Sequence, residues 1–420
     1  MTPNGSTLDR AIDGVFAVAM AAIAWLVVFG HRGVAPCVGL MALVVALRPR
    51  VWRDGLSIFS PSRIRSDPLS VAALAAAVFT VWIAITTLWS PTPGAVWLAL
   101  TIAAALLSAV ALAHEAATAT GQRAARFAVF FALMVVAASA ALLFEGLSGG
   151  YLRAVIPPDD ASPFRFKDMT ALGRGVTAMA LVVFPAASIL KRLTGSWLVA
   201  LAPGAALSVA AIQFSIFTNV IALAAGAAVF LIAFSRPRSA LVALVILFVA
   251  AAIATPFIAA SLHVDLLVDG GAGATPASWA QRLFIWREAG ARALGDCLPL
   301  GCGADYARAW AEDAAVVNVP GSPITLSVMP THPHNLFIQL WLELGLVGVG
   351  AFCIAAATGG AALLRRRCDT RTAAAIAATL AAGFVSVMLE ASLWQAWRLA
   401  DFALAAFGLA VSYSVNNKKQ

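Results

Sequence analysis

Charge is what this chain has least of. Asp, Glu, Lys and Arg make up 11% of its 420 residues, where a soluble globular domain carries about a quarter. Hydrophobic residues make up 61%, and the mean hydropathy is +0.90. That balance excludes a soluble fold and leaves an integral membrane protein. Cysteine is scarce too: there are five, none at metal-ligand spacing. The sequence has no His-Glu-x-x-His, no Cys-x-x-Cys, no P-loop, no Asp-x-Asp pair and no serine-nucleophile elbow. Nothing in it calls for a metal or any other cofactor.

What is present is a series of long apolar runs. A membrane span needs about 20 predominantly apolar residues. Twelve stretches qualify as candidates: 13–30, 33–47, 69–89, 93–114, 126–144, 172–190, 196–212, 214–234, 239–262, 335–358, 372–390 and 395–413. The second is short, and the turns within 196–234 and 372–413 are weakly marked. Lys and Arg gather in cytoplasmic loops. With the N-terminus inside, Arg10, Arg48, Arg50, Arg53, Arg63, Arg65, Arg123, Arg126, Lys191, Arg192, Arg236, Arg238, Arg365, Arg366, Arg367, Arg371, Lys418 and Lys419 all fall on that side. Every second loop obeys the rule, so an even number of spans with both termini cytoplasmic is expected. The net charge of +8 then follows from topology, without a nucleic-acid partner. Asp13 interrupts the start of the first run, which is expected to stay as an anchor.

Two loops are long, and both are predicted outside. Residues 145–171 form a polar connector containing Pro157-Pro158-Asp159-Asp160. Residues 263–334 form a larger segment, of a length usually associated with function or disorder. Within it, Ser278 to Leu294 has helical periodicity, with Ser278 or Thr275 as N-cap. A second short helix is expected around 305–316. The chain therefore divides into 1–262 (nine spans with the 145–171 connector), 263–334 (a small, mostly helical cap) and 335–420 (three spans and a tail). Cys297 and Cys302 lie in the cap, where a disulfide is permitted but so short a loop is demanding to close. Cys37, Cys353 and Cys368 are expected to pack as small apolar residues.

Arg153, Arg165, Lys167, Arg174, Arg282, Arg287 and Arg292 stand on the side the rule disfavours. Arg174, in Leu172-Gly173-Arg174-Gly175, opens a long apolar helix, and an ionised group there marks a functional site unless it snorkels to the headgroups. Arg282 and Trp286 share a helix face at i and i+4, so Trp286 can anchor the helix at the interface while Arg282 meets a ligand. Arginine's planar fork suits phosphate oxygens. The strongest signal is Thr331-His332-Pro333-His334-Asn335, followed by Gly345 and Gly348. His334 suits proton abstraction near neutral pH. Asn335 could orient its ring or a sugar hydroxyl, and His332 could bind substrate or shape the turn. Gly345, Gly348 and Gly350 would let another helix approach closely near mid-membrane. Glu343 and Glu390 could each pair with an arginine or tune His334.

The H-N-x9-G-x-x-G string, R-x-x-x-W followed by Pro299-Leu300-Gly301-Cys302-Gly303, and an arginine opening a mid-chain span together resemble the bacterial O-antigen ligases. That superfamily includes O-antigen polymerases and protein O-oligosaccharyltransferases. The resemblance implies an all-α polytopic glycosyltransferase of GT-C-like architecture in the inner membrane of Gram-negative bacteria, with its active site facing the periplasm. It implies transfer of O-antigen from undecaprenyl diphosphate to a sugar hydroxyl of lipid A-core, without a metal. By motif position it implies His334, Arg282 and Arg174 as catalytic, with His332, Asn335, Trp286 and Arg287 contacting substrate and Gly301, Gly303, Gly345 and Gly348 structural. An O-antigen polymerase would use the same donor. A transporter would show two related halves with interrupted midplane helices, whereas polarity here is concentrated in one asymmetric loop.

Overall fold

Apolar runs bounded by proline and by capping side chains become helices. In the computed structural model, which describes residues 7–158, 161, 165–264, 277–318, 325–390, 392 and 394–416, the order is α1 (Thr7–Phe29), α2 (Val34–Ala46), α3 (Pro49–Ser57), α4 (Pro61–Ser66), α5 (Pro68–Thr86), α6 (Val96–Thr118), α7 (Gly121–Ser148), α8 (Tyr151–Val155) and α9 (Arg165–Thr194). There follow α10 (Trp197–Gln213), α11 (Phe217–Ser235), α12 (Pro237–Ala260), α13 (Ala277–Gly295) and α14 (Tyr306–Glu312). A hairpin β1 (Val316–Asn318) and β2 (Thr325–Ser327) precedes α15 (Leu336–Gln339), a π-turn (Leu340–Leu344), α16 (Gly345–Arg365), α17 (Thr370–Leu389) and α18 (Ala396–Asn416). Asp159, Asp160, Thr275, Lys418 and Lys419 lie outside the described residues.

The protein is an all-α polytopic membrane protein. Among the described residues, ten helices are long and apolar enough to cross a membrane. All twelve candidate runs coincide with a helix, but α2 has 13 residues and bends away from α3 by 91°, and α10 has 17. Their starts follow local chemistry. The Asp67 side chain accepts the Leu69 N–H (3.0 Å) at the head of α5, with Pro68 in the first turn. Asp369 does the same for Arg371 and Thr372 at the head of α17. Each satisfies backbone donors the helix leaves open.

Helix α9 runs through the middle and is buried along most of its length. It reaches α1 closely because position 175 is glycine: a methyl there would overlap the Val27 carbonyl oxygen. Nearby, Phe16 stacks on Phe127 at 4.9 Å and meets Phe407 at 5.4 Å. At one end of the bundle, buried Glu115 pairs with Arg123 (2.7 Å) and Arg50 (3.0 Å), while Asp13 pairs with Arg123 (3.1 Å) and Arg126 (2.9 Å). Arg365 donates to the Ser66 carbonyl. Basic segments that the charge rule groups together therefore share an end of the molecule.

Three expectations are corrected. The second cap helix is confined to Tyr306–Glu312, and the chain then forms an antiparallel hairpin with Val316 opposite Ser327. The run at 335–358 is broken by the π-turn. Gly345, at φ +61, meets the backbone of the Pro299–Gly301 loop rather than another helix, and Gly350 faces open space. A methyl at Gly348 would meet Leu344, one turn back in its own chain segment.

Candidate functional site

The histidine turn is pinned from both sides. His334 adopts φ +55, a left-handed conformation uncommon outside glycine. The next residue, Asn335, is extended, and its Oδ1 accepts the N–H groups of Phe337 (2.9 Å) and Ile338 (3.2 Å), which starts α15. From the other side, Trp286 of α13 donates its indole N–H to the Pro333 carbonyl at 3.0 Å. The result sets the His332 and His334 rings 4.3 Å apart, centre to centre.

Four separate segments bring cations to the neighbourhood of this turn. Burial is the main reason both imidazoles hold protons poorly: His332 is pushed down to about 4 and His334 to about 3. Charge adds to this. His332 feels Arg398, Arg308 and Arg174, and His334 feels its neighbour His332, Arg282 and Arg398, while the Glu390 backbone pulls both the other way. Arg282 is itself lowered by burial, with Glu390 opposing. Its guanidinium lies 5.4 Å from the Trp279 ring, and its buried Nε has no partner among the described residues. Arg174, Arg282 and His334 thus meet in one electrostatic neighbourhood.

One member of that neighbourhood, Arg398, was not read from the sequence, and Glu390 takes one of the roles open to it, pairing with an arginine. Arg398, 2% exposed, donates to Ser386 Oγ (2.7 Å) and Gln395 Oε1 (3.2 Å) and stands 3.5 Å from the Glu390 carboxylate. Glu390 in turn lies 3.4 Å from the Thr177 hydroxyl, one turn along α9 from Arg174. Thr177 and Asn219 share a 2.9 Å hydrogen bond, and Asn219 also donates to the Gly173 carbonyl, which fixes the backbone beside Arg174. Buried Asp401 follows Arg398 by one turn, with neither oxygen partnered among the described residues. Charges three apart in so apolar a helix were the available signal.

Below the turn, Glu343 acts as an internal cap. Its carboxylate accepts from the backbones of Asp305 (3.1 Å) and Ala307 (3.3 Å) and from Gln339 (3.2 Å) and Trp394 (2.6 Å). Among the described residues it neither pairs with an arginine nor touches a histidine ring. Cys297 and Cys302 are bridged. The loop they close is stitched to the π-turn through Cys302 N to Leu342 O, Gly303 N to Glu343 O and Leu346 N to Pro299 O. Gly301 and Gly303, both at positive φ, allow the close approach to Glu343 and Ser90. Cys37, Cys353 and Cys368 are half-buried thiols.

Several expected contacts fall differently. Trp286 holds the histidine turn through its indole N–H. Asn335 spends its carbonyl oxygen on the helix cap, and its amide faces Met388 Sδ at 3.9 Å. Arg287 pairs with adjacent Glu288 (3.0 Å). The side chain of Arg165 lies outside what the structure describes. Among the described residues, no three of His, Cys, Asp and Glu gather in a metal-holding group. Positive charge in the site comes from guanidinium groups.

At one end of a polytopic helical bundle, then, a mostly buried imidazole stands among arginines, an arrangement whose charge suits an anionic ligand. Residues 217–353 match the family model described as O-antigen ligase, so the chain carries a domain of the O-antigen ligase family. The match runs from α11 into α16 and includes Arg282 and the histidine turn. Arg174, Glu390 and Arg398 lie outside it. No curated protein matches the chain. Its function is of the general O-antigen ligase or polymerase kind.

Proposed function

We propose that this protein is an O-antigen ligase. It transfers O-antigen polysaccharide from undecaprenyl diphosphate to a sugar hydroxyl of lipid A-core, on the periplasmic side of the bacterial inner membrane, with both termini cytoplasmic. What supports this reading is that the charge of Arg174 acts on His332 and that of Arg282 on His334, two rings 4.3 Å apart in one turn. Twelve crossings in a GT-C-like arrangement, counting short α2 and α10, fit that orientation.

His334 takes the proton from the acceptor hydroxyl. The oxygen attacks the anomeric carbon, the bond from that carbon to the diphosphate oxygen breaks, and undecaprenyl diphosphate departs with the electron pair. Direct displacement inverts the anomeric centre. Arg174 and Arg282 hold the diphosphate and stabilise charge as it develops on the leaving group. Burial and surrounding cations keep His334 neutral. A bound diphosphate offsets those cations and raises the basicity of the ring when it is needed. An apolar groove of ≈ 320 Å³ gives the lipid chain a place beside the chemistry, since Leu336 and Leu399 line it next to the histidine turn and Arg398.

The test is reconstitution of purified protein with labelled lipid-linked O-antigen and lipid A-core. Wild type should produce labelled lipid A-core, and Arg282→Ala or His334→Ala should lose about 10²–10³ in rate at normal protein levels. Label extending a second lipid-linked glycan instead would make the protein a polymerase. Transport without a new glycosidic bond would overturn the enzyme reading.

A further inference from the structure

Arg174 also lines a basic cavity. That cavity, of ≈ 840 Å³, is walled by the His31–Gly33 turn after α1, by Pro158, and by the first turns of α9. Arg32, Lys167 and Arg174 all line it. Arg32 and Lys167 are exposed at its rim and Arg174 is half-buried. Lys167 and Arg174 stand seven residues apart on one helix, hence on the same face about 10 Å apart. That spacing is wider than the two phosphates of a single diphosphate. Arg32 adds a third cation from a different chain segment. Asp168, the nearest acid along α9, is ion-paired with buried Arg153 (3.0 Å).

The cavity is also tied to the chemistry. His31, on its wall, packs edge-on against Trp397 at 4.8 Å. The other partner of that indole is the Arg398 guanidinium at 4.6 Å, which reaches Glu390 and the histidine turn. Arg174 belongs to both spaces: it lines the cavity, and its charge acts on His332.

We infer that this cavity seats the acceptor's headgroup, a glycolipid carrying several phosphate groups, with Arg32 and Lys167 gripping phosphates remote from the reacting hydroxyl. The inference rests on the ligase reading. Its volume suits an oligosaccharide portion, and separated cations select a ligand whose anions are likewise separated. Arg174 then stands between acceptor and donor, so that an acceptor held by its phosphates delivers its hydroxyl past Arg174 to His334. Remote binding of this kind positions the reacting group without taking part in bond making.

The test uses the full chain in nanodiscs with lipid A-core, either intact or stripped of its phosphates, and lipid-linked O-antigen as donor. Arg32→Gln and the double variant Arg32→Glu/Lys167→Glu change exposed side chains, and a thermal melt checks that both fold. The double variant should raise KM for intact acceptor about tenfold or more, Arg32→Gln less. Donor KM and kcat should stay within about twofold, and the stripped acceptor should react equally poorly with all three proteins. An equal rise in donor KM would assign these cations to the donor diphosphate and overturn the inference, as would no change at all. Direct binding of intact lipid A-core to wild type and double variant is read separately, by quenching of tryptophan fluorescence. If wild type forms no glycosidic bond the ligase reading fails, while a binding difference confined to the phosphorylated lipid still supports the cavity assignment. Equal binding of both lipids by both proteins would remove it.

Discussion

At His334 backbone and side chain make separable demands. Its left-handed φ costs an L-residue about 1 kcal/mol that glycine does not pay. His334→Gly should therefore melt higher than His334→Ala, by an amount equivalent to about 1 kcal/mol, while both remain inactive in ligation. Equal melting of the two would show that the turn is not strained. Acid sensitivity is a second consequence. In the unfolded chain an imidazole titrates near 6.5, but in the folded protein His334 is pushed down to about 3. Between those values the unfolded chain binds more protons, so this contribution is fully present above about pH 6.5 and is lost as pH falls toward 3. Wild type should lose more thermal stability from pH 7 to pH 5 than His334→Gln does, by at most about 1.4 kcal/mol per pH unit. Parallel pH profiles for the two would contradict the buried, neutral ring.

Between elements, the π-turn and the disulfide loop behave as one part. Gly345 combines a positive φ with the backbone of the Pro299–Gly301 loop against it, and Gly350, five residues on, has nothing within 4 Å. Gly345→Ala should cost about 2–4 kcal/mol, whereas Gly350→Ala should leave the melt unchanged or slightly raised. Glu343→Ala would leave two backbone N–H groups and the Gln339 and Trp394 donors without their acceptor. Each buried orphan costs about 1–3 kcal/mol, so little folded protein should be recovered by size-exclusion chromatography. How much of this the sequence disclosed depends on the interaction. Arg174, Arg282 and His334 stood out because an ionised or titratable group is rare against an apolar background. Gly345 announced close approach but not what approaches, because glycine spacing carries no record of the partner. Glu343 was visible as a carboxylate in a span, yet its four donors come from chain positions as far apart as 305 and 394. The hairpin at 316–327 has strands of three residues, too short to establish an alternating pattern.

Over the whole molecule, charge is segregated to two ends joined by an apolar middle. The end holding Glu115, Asp13, Arg50, Arg123 and Arg126 is far along the helices from the histidine turn. A buried charge left wholly stranded costs about 3–5 kcal/mol, and the loss here is smaller because Arg123 keeps Asp13 and Arg50 reaches solvent. Glu115→Gln should thus lower the melting temperature and the yield, while the protein that does fold keeps its KM for both substrates. A changed donor KM would show that the two ends are coupled. The helical, membrane-spanning class was the most legible property of all, since hydropathy depends on local composition alone. Pairing across elements was the least. Arg398 meets Glu390 only because α17 ends where α18 begins, and each looked like an isolated charge in the linear chain.

A single indole N–H joins α13 to the Pro333 carbonyl. Leverage on that helix is therefore leverage on the imidazole two bonds further along the backbone. Should α13 swing outward to admit a bulky glycan, the ring would lose its aim at the same moment that solvent enters. On the ligase reading, water arriving then would find no competent base.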